Sequence, residues 1–313
     1  MTMLDGTVLP AGLQLTTTPS IVDMDRELYV ESFLRRWDGN TRTSYRQDIL
    51  TFLMWLDRNA FRIFDIRRPH LELFMRYLAD ERGNCASTIR HRMSTLRLFY
   101  EIALDDDLVT KNPARLLKLP KIRRDDNEKV HLDRNEMQAV ARAAYDSSPV
   151  DYALVVIMGY TGLRVSEVCS LGVMDVLSYS RGHRVMQFVQ KGGGVAVVPQ
   201  PAVVMRAIDA VIDGRDIGSL LLRRDGEPMT RSSATRVVKR VAKKAGITMT
   251  VSPHTFRHSM IVNAIDAGVP LREVQLAARH ADISTTIGIY DRGRRNLDTH
   301  ASHTLAAYLG AVA

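Results

Sequence analysis

The stretch that most constrains this chain runs from Ser252 to Tyr290. It begins S-P-H-T-F-R-H and ends A-R-H-A-D-I-S-T-T-I-G-I-Y. Ser252 reads as a helix N-cap, Pro253 as the first helical residue and Gly268 as the stop. His254 and Arg257, three residues apart, then share one face of the first turn. The free N–H groups and dipole of a helix N-terminus already attract anions. An imidazole and a guanidinium added there point to a phosphate site. The stretch closes on Tyr290, a phenol able to act as a nucleophile.

The rest of the chain has the charge for such a partner. Its 313 residues, 45% of them hydrophobic, suffice for two domains with real cores. The formal net charge is +8, unevenly spread: residues 1–120 carry 17 basic and 16 acidic side chains, residues 121–313 carry 26 and 19. The second half therefore has more reason to hold phosphates. Cys85 and Cys169, far apart, give neither a disulfide framework nor a zinc pattern, and both are expected as buried, reduced thiols. The start, M-T-M-L-D-G, lacks the basic segment of a secretion signal. The longest apolar run, near Ala153 to Met158, is far too short for a bilayer. A cytoplasmic protein with no membrane contact is expected, in a bacterial cytoplasm or nucleoid.

Residues 1–21 are rich in Thr, Pro and Gly and read as a loose arm. Residues 22–110 read as a helical domain. A first helix covers Met24 to Arg36. In the second, Tyr45, Ile49, Phe52, Leu53 and Leu56 keep helical spacing, and Arg42 and Arg46 lie one turn apart. A third runs from Pro69 to Asp80. A fourth, Ser87 to Leu104, carries an Ile89, Met93, Leu96, Tyr100 and Ala103 stripe. Its Arg90, Ser94 and Arg97 share another face, read either as a DNA-facing surface or as a solvated one. Residues 111–129, broken by Pro113 and Pro120, form the linker, with Lys121, Arg123 and Arg124 as further candidate phosphate contacts.

Residues 130–313 open at His131-Leu132-Asp133, with Asp133 as an N-cap. Helices to Ala144 and from Val150 to Tyr160 lead to the turn Thr161-Gly162-Leu163 and to Arg164. Between His183 and Pro199 the period becomes that of strands, V-M-Q-F-V-Q and V-A-V-V-P, joined by K-G-G-G with Lys191 at the tip. The helix Ser232 to Ala245 carries Arg236, Lys239, Arg240, Lys243 and Lys244 with no acid between them, which favours a nucleic-acid contact.

T-G-L-R-V-S-E around Arg164, H-T-F-R-H around Arg257 and H-A-D-I-S-T-T…Y ending at Tyr290 resemble the tyrosine recombinase, or phage integrase, family. K-G-G-G stands where that family has its hairpin lysine. Y-R-Q-D-I-L-T-F-L-M-W-L, from Tyr45, resembles its core-DNA-binding domain. The likeness spans about residues 22–300, and its strength lies in the order and separation of the motifs. It implies a mainly α-helical fold with a small antiparallel sheet, arranged as a two-lobed DNA clamp. It implies a compact member without an arm-binding domain, since only about 20 residues precede the first helix.

The same resemblance implies the chemistry and the roles. Tyr290 attacks the scissile phosphate and forms a 3′-phosphotyrosyl bond. Arg164 and Arg257 clamp the phosphate, because a guanidinium meets it bidentately. Lys191 protonates the leaving 5′-oxygen. His254 and His280 move protons or donate hydrogen bonds. Glu167, one turn after Arg164, orients an arginine. Preorganised cations supply most of the catalysis in such phosphoryl transfers. No cofactor is implied, and the chain has no Walker-type loop. His254 and His258 have the spacing of a metal pair, but the glutamate of H-E-x-x-H is missing and no third ligand is evident; His258 reads as structural. The implied partners are a double-stranded core site, a homotetramer on two duplexes through a Holliday junction, and an accessory directionality factor.

The role read first is integration or excision of a phage or mobile element, on the tail R-G-R-R-N-L-D-T-H-A. A Xer-like resolvase of chromosome or plasmid dimers is the alternative, followed by a type IB topoisomerase and by a DNA-binding regulator without catalysis. Two departures stand out. Arg279 replaces the glycine of the family's Leu-Gly-His, and His280 to Tyr290 is one residue longer than the commonest spacing.

Overall fold

The computed structural model describes residues 21–122, 131–190, 193–293 and 301–310. The chain divides into two compact units, Met1–Arg124 and Asp125–Ala313. Arg123, Arg124, Lys191 and most of the N-terminal arm lie outside the described residues.

The first unit contains four helices, α1 (Ile21–Arg35), α2 (Gly39–Arg58), α3 (Arg68–Asp80) and α4 (Ala86–Asp105). Apolar residues three or four apart give each main helix one inward stripe. In α2 the stripe is Ile49, Phe52, Trp55 and Leu56; in α4 it is Ile89, Met93, Leu96, Phe99, Tyr100 and Ala103. The core is aromatic, with Phe52 against Phe74 at 4.9 Å and Phe33 edge-on to Phe99 at 5.3 Å between ring centroids. Such offset and edge-on pairs suit the ring quadrupole. Tyr100 is wholly buried, and its hydroxyl donates to the Ile63 carbonyl at 2.8 Å, so its polar end is satisfied.

The second unit is built around α6 (Pro149–Thr161), in which every residue from Leu154 to Met158 is buried. Around it pack α5 (Arg134–Tyr145), α8 (Ala202–Ile212), α9 (Arg231–Lys244) and α10 (Pro253–Asp266). Short α7 (Val165–Ser170) follows α6 directly. The core here is aliphatic; Phe188 and Phe256 are its buried aromatic members. Asp133 caps α5 by accepting the Glu136 N–H while Glu136 accepts the Asp133 N–H, a reciprocal cap.

The sheet is antiparallel and three-stranded, in the order β1 (Ser178–Ser180), β2 (His183–Val189), β3 (Val195–Pro199). Val189 faces Val195 at the hairpin end and Ser178 faces Val185. The sequence pattern predicts the β2–β3 hairpin alone. Strand β1 is three residues of Ser-Tyr-Ser, too short to show an alternating period. The cysteines also depart from expectation. Cys85 is exposed and Cys169 half-buried. Cys85 sits immediately ahead of α4, where hydrogen bonds with the Ser87 and Thr88 hydroxyls draw its thiol down to about 7.

Helices α11 (Leu271–Ala278) and α12 (Ile283–Gly293) fold back on α10. These three share a small core of Met260, Ile261, Val262, Val274, Ala278 and Ile289. The 39 residues Ser252–Tyr290 therefore carry a small core of their own, joined to the main one through Phe256 on α10. The last helix, α13 (Ala301–Leu309), leaves Leu305 and Leu309 exposed and Tyr308 85% exposed. No helix among the described residues is long and apolar enough to cross a membrane.

Candidate active site

The site begins where α6 stops. Gly162 takes the left-handed conformation at φ 62°, which ends the helix and frees its carbonyl. Two residues on, Arg164 caps α7. Its backbone N–H donates to Glu167 Oε2 at 2.7 Å, and its Nη1 donates to Glu167 Oε1 at 2.8 Å. Glu167 is buried, while the Arg164 side chain is 43% exposed. One edge of the Arg164 guanidinium is therefore fixed and the rest faces outward.

Arg257 is different. Ser252 caps α10 through the Thr255 N–H, with Pro253 following as the sequence predicts. Arg257 then lies in the first turn but is only 2% exposed. Its Nη1 donates to the Gly162 carbonyl at 2.5 Å and its Nη2 to the Ala278 carbonyl. A buried charge is tolerated only when so partnered. Burial, then the Arg164 and Arg279 charges, bring Arg257 down to about 10, still protonated at neutral pH.

His280 completes this group. A hydrogen bond of 2.9 Å joins its Nδ1 to the Thr286 hydroxyl. Its backbone N–H donates to the Gln275 carbonyl at 3.2 Å, and the Gln275 side chain donates back to the His280 carbonyl at 3.0 Å. Burial lowers its pKa to about 4, helped by the charges of Arg257, Arg164, His254 and Arg279. At neutral pH it is uncharged, a hydrogen-bonding group rather than a cation. His254 is exposed, with its ring edge-on to His258 at 4.3 Å. Tyr290, half-buried on α12, packs against the small core that α10 and α11 share.

Arg164 and Glu167, His254 and Arg257, and His280 thus come together from three separate parts of the chain. The site also contains Arg279, which the motif reading treats as a departure and not as a member. Its Nη2 donates to Glu167 Oε2 at 2.8 Å. The signal was in the sequence: a cation directly before His280 where the family pattern has glycine. No group of three or more His, Cys, Asp or Glu among the described residues has a metal-holding arrangement.

The other candidate DNA contacts separate. Arg42 and Arg46 both bind the Glu31 carboxylate, at 2.7 and 3.0 Å. Arg97 is turned inward, its Nε donating to the Ala114 carbonyl at 3.1 Å, so it fastens the following segment to α4. Arg90 stays exposed with one weak bond to the Pro120 carbonyl at 3.4 Å, and Lys121 is exposed. On α9, Arg240 pairs with buried Asp151, and Lys244 donates to the Asp146 carbonyl at 3.2 Å. Arg236, Lys239 and Lys243 are exposed.

Residues 131–296 match the profile of the Phage integrase family, and residues 28–110 that of the phage integrase N-terminal SAM-like domain. This chain belongs to the phage integrase family. It is a tyrosine recombinase, an enzyme of site-specific DNA recombination. Tyrosine recombinase XerD of Ralstonia nicotianae is 30% identical over 300 residues, covering 92% of this chain and 94% of that one. Tyrosine recombinase XerD of Oceanobacillus iheyensis is 29% identical over 266 residues, covering 80% and 87%. Among solved structures, the Tn1549 transposon integrase with a circular intermediate DNA superposes with a TM-score of 0.69 at 22% identity, covering 91% of this chain and 98% of that one. The XerH recombinase bound to its palindromic difH substrate gives a TM-score of 0.69 at 18% identity, covering 86% and 80%. At such identities the structures speak for the fold.

Proposed function

We propose that Tyr290 is the nucleophile of a strand exchange at a duplex core site, with Arg164 and Arg257 binding the scissile phosphate. The phenol oxygen attacks phosphorus and the bond to the 5′-oxygen breaks. That leaves a 3′-phosphotyrosyl link on one strand end and a free 5′-hydroxyl on the other. Attack by the 5′-hydroxyl of a partner strand reverses the step and releases Tyr290. Bond energy is kept throughout, so no nucleotide hydrolysis is needed.

One observation carries this reading. Three guanidinium groups stand against the single Glu167 carboxylate: Arg164 and Arg279 bind it directly, and Arg257, held by the Gly162 and Ala278 carbonyls, adds its charge beside them. The cluster holds more positive charge than its own residues neutralise, and a phosphate supplies the missing anion. Fixed cations aimed at developing phosphoryl charge are what such a reaction requires. His280, neutral at neutral pH, and His254 at the rim donate hydrogen bonds to the phosphate. Lys191, at the hairpin tip by sequence, supplies the proton that the leaving 5′-oxygen takes.

The assembly is a homotetramer on two duplexes passing through a Holliday junction, with α13 of one protomer docked on its neighbour. The exposed Leu305, Tyr308 and Leu309 favour that docking, since a short helix needs a surface to pack on. The first biological reading is integration or excision of a mobile element. The Xer-like reading is favoured by the XerC and XerD relatives, 25–30% identical over most of the chain. The test is a suicide substrate built from DNA flanking the gene. A covalent protein–DNA adduct formed in EDTA supports the chemistry, its position locates the site, and no adduct on any flanking DNA overturns it.

A further inference from the structure

Arg279 stands in the left-handed region at φ 55°, ψ 45°, as the C-cap of α11. A side chain there carries a steric cost that glycine avoids. Its side chain is also 11% exposed, so a charge is being buried. Both costs need compensation, and the contacts show where it comes from. Nη2 donates to Glu167 Oε2 at 2.8 Å, and Nη1 to the Ala277 carbonyl at 3.3 Å. The guanidinium carbon lies over the Phe188 ring, 5.3 Å from its centroid.

These partners come from different elements of the second unit. Glu167 uses its other oxygen to fix Arg164. Phe188 lies on β2, three residues before Lys191. The residues flanking Arg279 are Ala278, whose carbonyl holds Arg257, and His280. Glu167 thereby accepts from both arginines and from the Arg164 backbone, which leaves its carboxylate little freedom to turn.

We propose that Arg279 is a positioning residue for the strand-exchange reaction: it locks Glu167, and through it the Arg164 guanidinium, and ties strand β2 to the arginine pair. It acts through Glu167 and need not touch the DNA. The inference rests on the reading that Arg164 binds the scissile phosphate. The third guanidinium also adds to the positive charge facing His280, alongside Arg257, Arg164 and His254.

The test uses Arg279→Gly, Arg279→Lys and Glu167→Gln in the full-length protein. Glycine suits the left-handed backbone, so Arg279→Gly is expected to fold; thermal melting checks this, and the lysine variant carries the test if it does not. On the suicide substrate, single-turnover cleavage by Arg279→Gly should fall about 10–100-fold, as for loss of an orienting partner, with DNA affinity little changed. Arg279→Lys, which keeps a charge opposite Glu167, should recover part of the loss. Adding Arg279→Gly to Glu167→Gln should cost nothing further if one acts through the other. NMR of the free protein supplies a readout independent of cleavage. In Arg279→Gly the Arg164 guanidinium signals should broaden. Wild-type cleavage in Arg279→Gly, full additivity with Glu167→Gln, or unchanged Arg164 signals would each overturn the proposal. If the wild type forms no adduct, the phosphate reading fails separately, and the NMR comparison alone decides the coupling.

Discussion

Each unit has an ionic cluster around a buried carboxylate, Asp48 in the first and Glu167 in the second, and the two are balanced differently. In the first unit, Asp48 of α2 is buried against α4. It accepts from the Thr95 hydroxyl at 2.8 Å, with His91 Nε2 at 3.3 Å and Arg92 Nε at 3.8 Å. One carboxylate faces one guanidinium and one imidazole, so the cluster can settle its own charge. In the second unit, Glu167 faces Arg164 and Arg279, and Arg257 adds a third guanidinium. That cluster cannot. A self-balanced buried network holds helices in register; an unbalanced one waits for an anion. Burial and ion pairing alone do not distinguish a structural network from a site, but the residual charge does.

The largest effect that tests this contrast comes from Tyr290→Phe. It removes only the attacking oxygen and leaves both charge clusters intact. Covalent adduct should disappear on a denaturing gel while DNA binding stays within a few-fold. An adduct that persists, or maps to Tyr308, breaks the assignment.

Next come the two arginines, which the structure makes unequal. Arg164→Ala should cut single-turnover cleavage by ~10²–10³-fold, the range for losing one preorganised donor to developing charge. Its effect on melting should be small, because its side chain is 43% exposed and Arg279 still partners Glu167. Arg257→Ala should lose at least as much cleavage. It should also destabilise the fold, since the Gly162 and Ala278 carbonyls are left buried without a donor, at about 1–3 kcal/mol each. Equal melting temperatures for the two variants would show that Arg257 is not a structural member of the site.

Much of this was legible in the sequence, and the failures share a cause. Helices α2 and α4 show themselves because a stripe at helical spacing is a local signal, as does the Ser252-Pro253 start of α10. The family order groups Arg164, Arg257 and His280 although they are far apart in sequence, and their side chains lie close enough to act on one another. What the sequence did not show was where each guanidinium goes. Arg257 finds its acceptors 95 and 21 residues away, and Arg240 finds Asp151 at a separation of 89. A run of cations on a helix gives no sign that one of them is already neutralised by a distant acid. Arg97 reads as part of a polar face, and only the return of the chain at Ala114 turns it inward.

A smaller effect, of opposite kind, belongs to the first cluster. Thr95→Val keeps the shape but removes the donor to Asp48, and should cost about 1–3 kcal/mol in urea unfolding. Cleavage at saturating DNA should not change. The pH dependence of stability separates the clusters further. His280 is held below its usual value, so between about 6.5 and 4 the unfolded chain binds more protons, and stability falls as pH falls through that window. Burial raises Asp48 despite its partners, so its contribution runs the other way, present at low pH and lost as pH rises through its folded value. His280→Gln should flatten the slope between pH 6.5 and 4; an unchanged slope would place the titration elsewhere.

The smallest effect lies on α9, where the same comparison of balanced and unbalanced charge can be made along one helix. Arg240 is neutralised by Asp151, and Lys244 is occupied by the Asp146 carbonyl and the Ser147 hydroxyl. Arg236, Lys239 and Lys243 are exposed and make no hydrogen bond or ion pair among the described residues, so they are the ones with charge to give to a phosphate. Each phosphate neutralised on B-DNA adds ~0.9 to the slope of log affinity against log salt. Lys239→Ala and Lys243→Ala should each reduce that slope by about this amount and weaken binding alike on all sequences. Arg240→Ala should leave the slope unchanged and lower the melting temperature instead, because Asp151 is left buried without its partner. A titration of duplex binding across several salt concentrations distinguishes them. If Arg240→Ala moved the slope as far as Lys239→Ala, its pair with Asp151 would have to open on DNA. A locally neutralised cation would then still count toward binding, and residual charge in the free protein would no longer separate structural side chains from DNA-contacting ones.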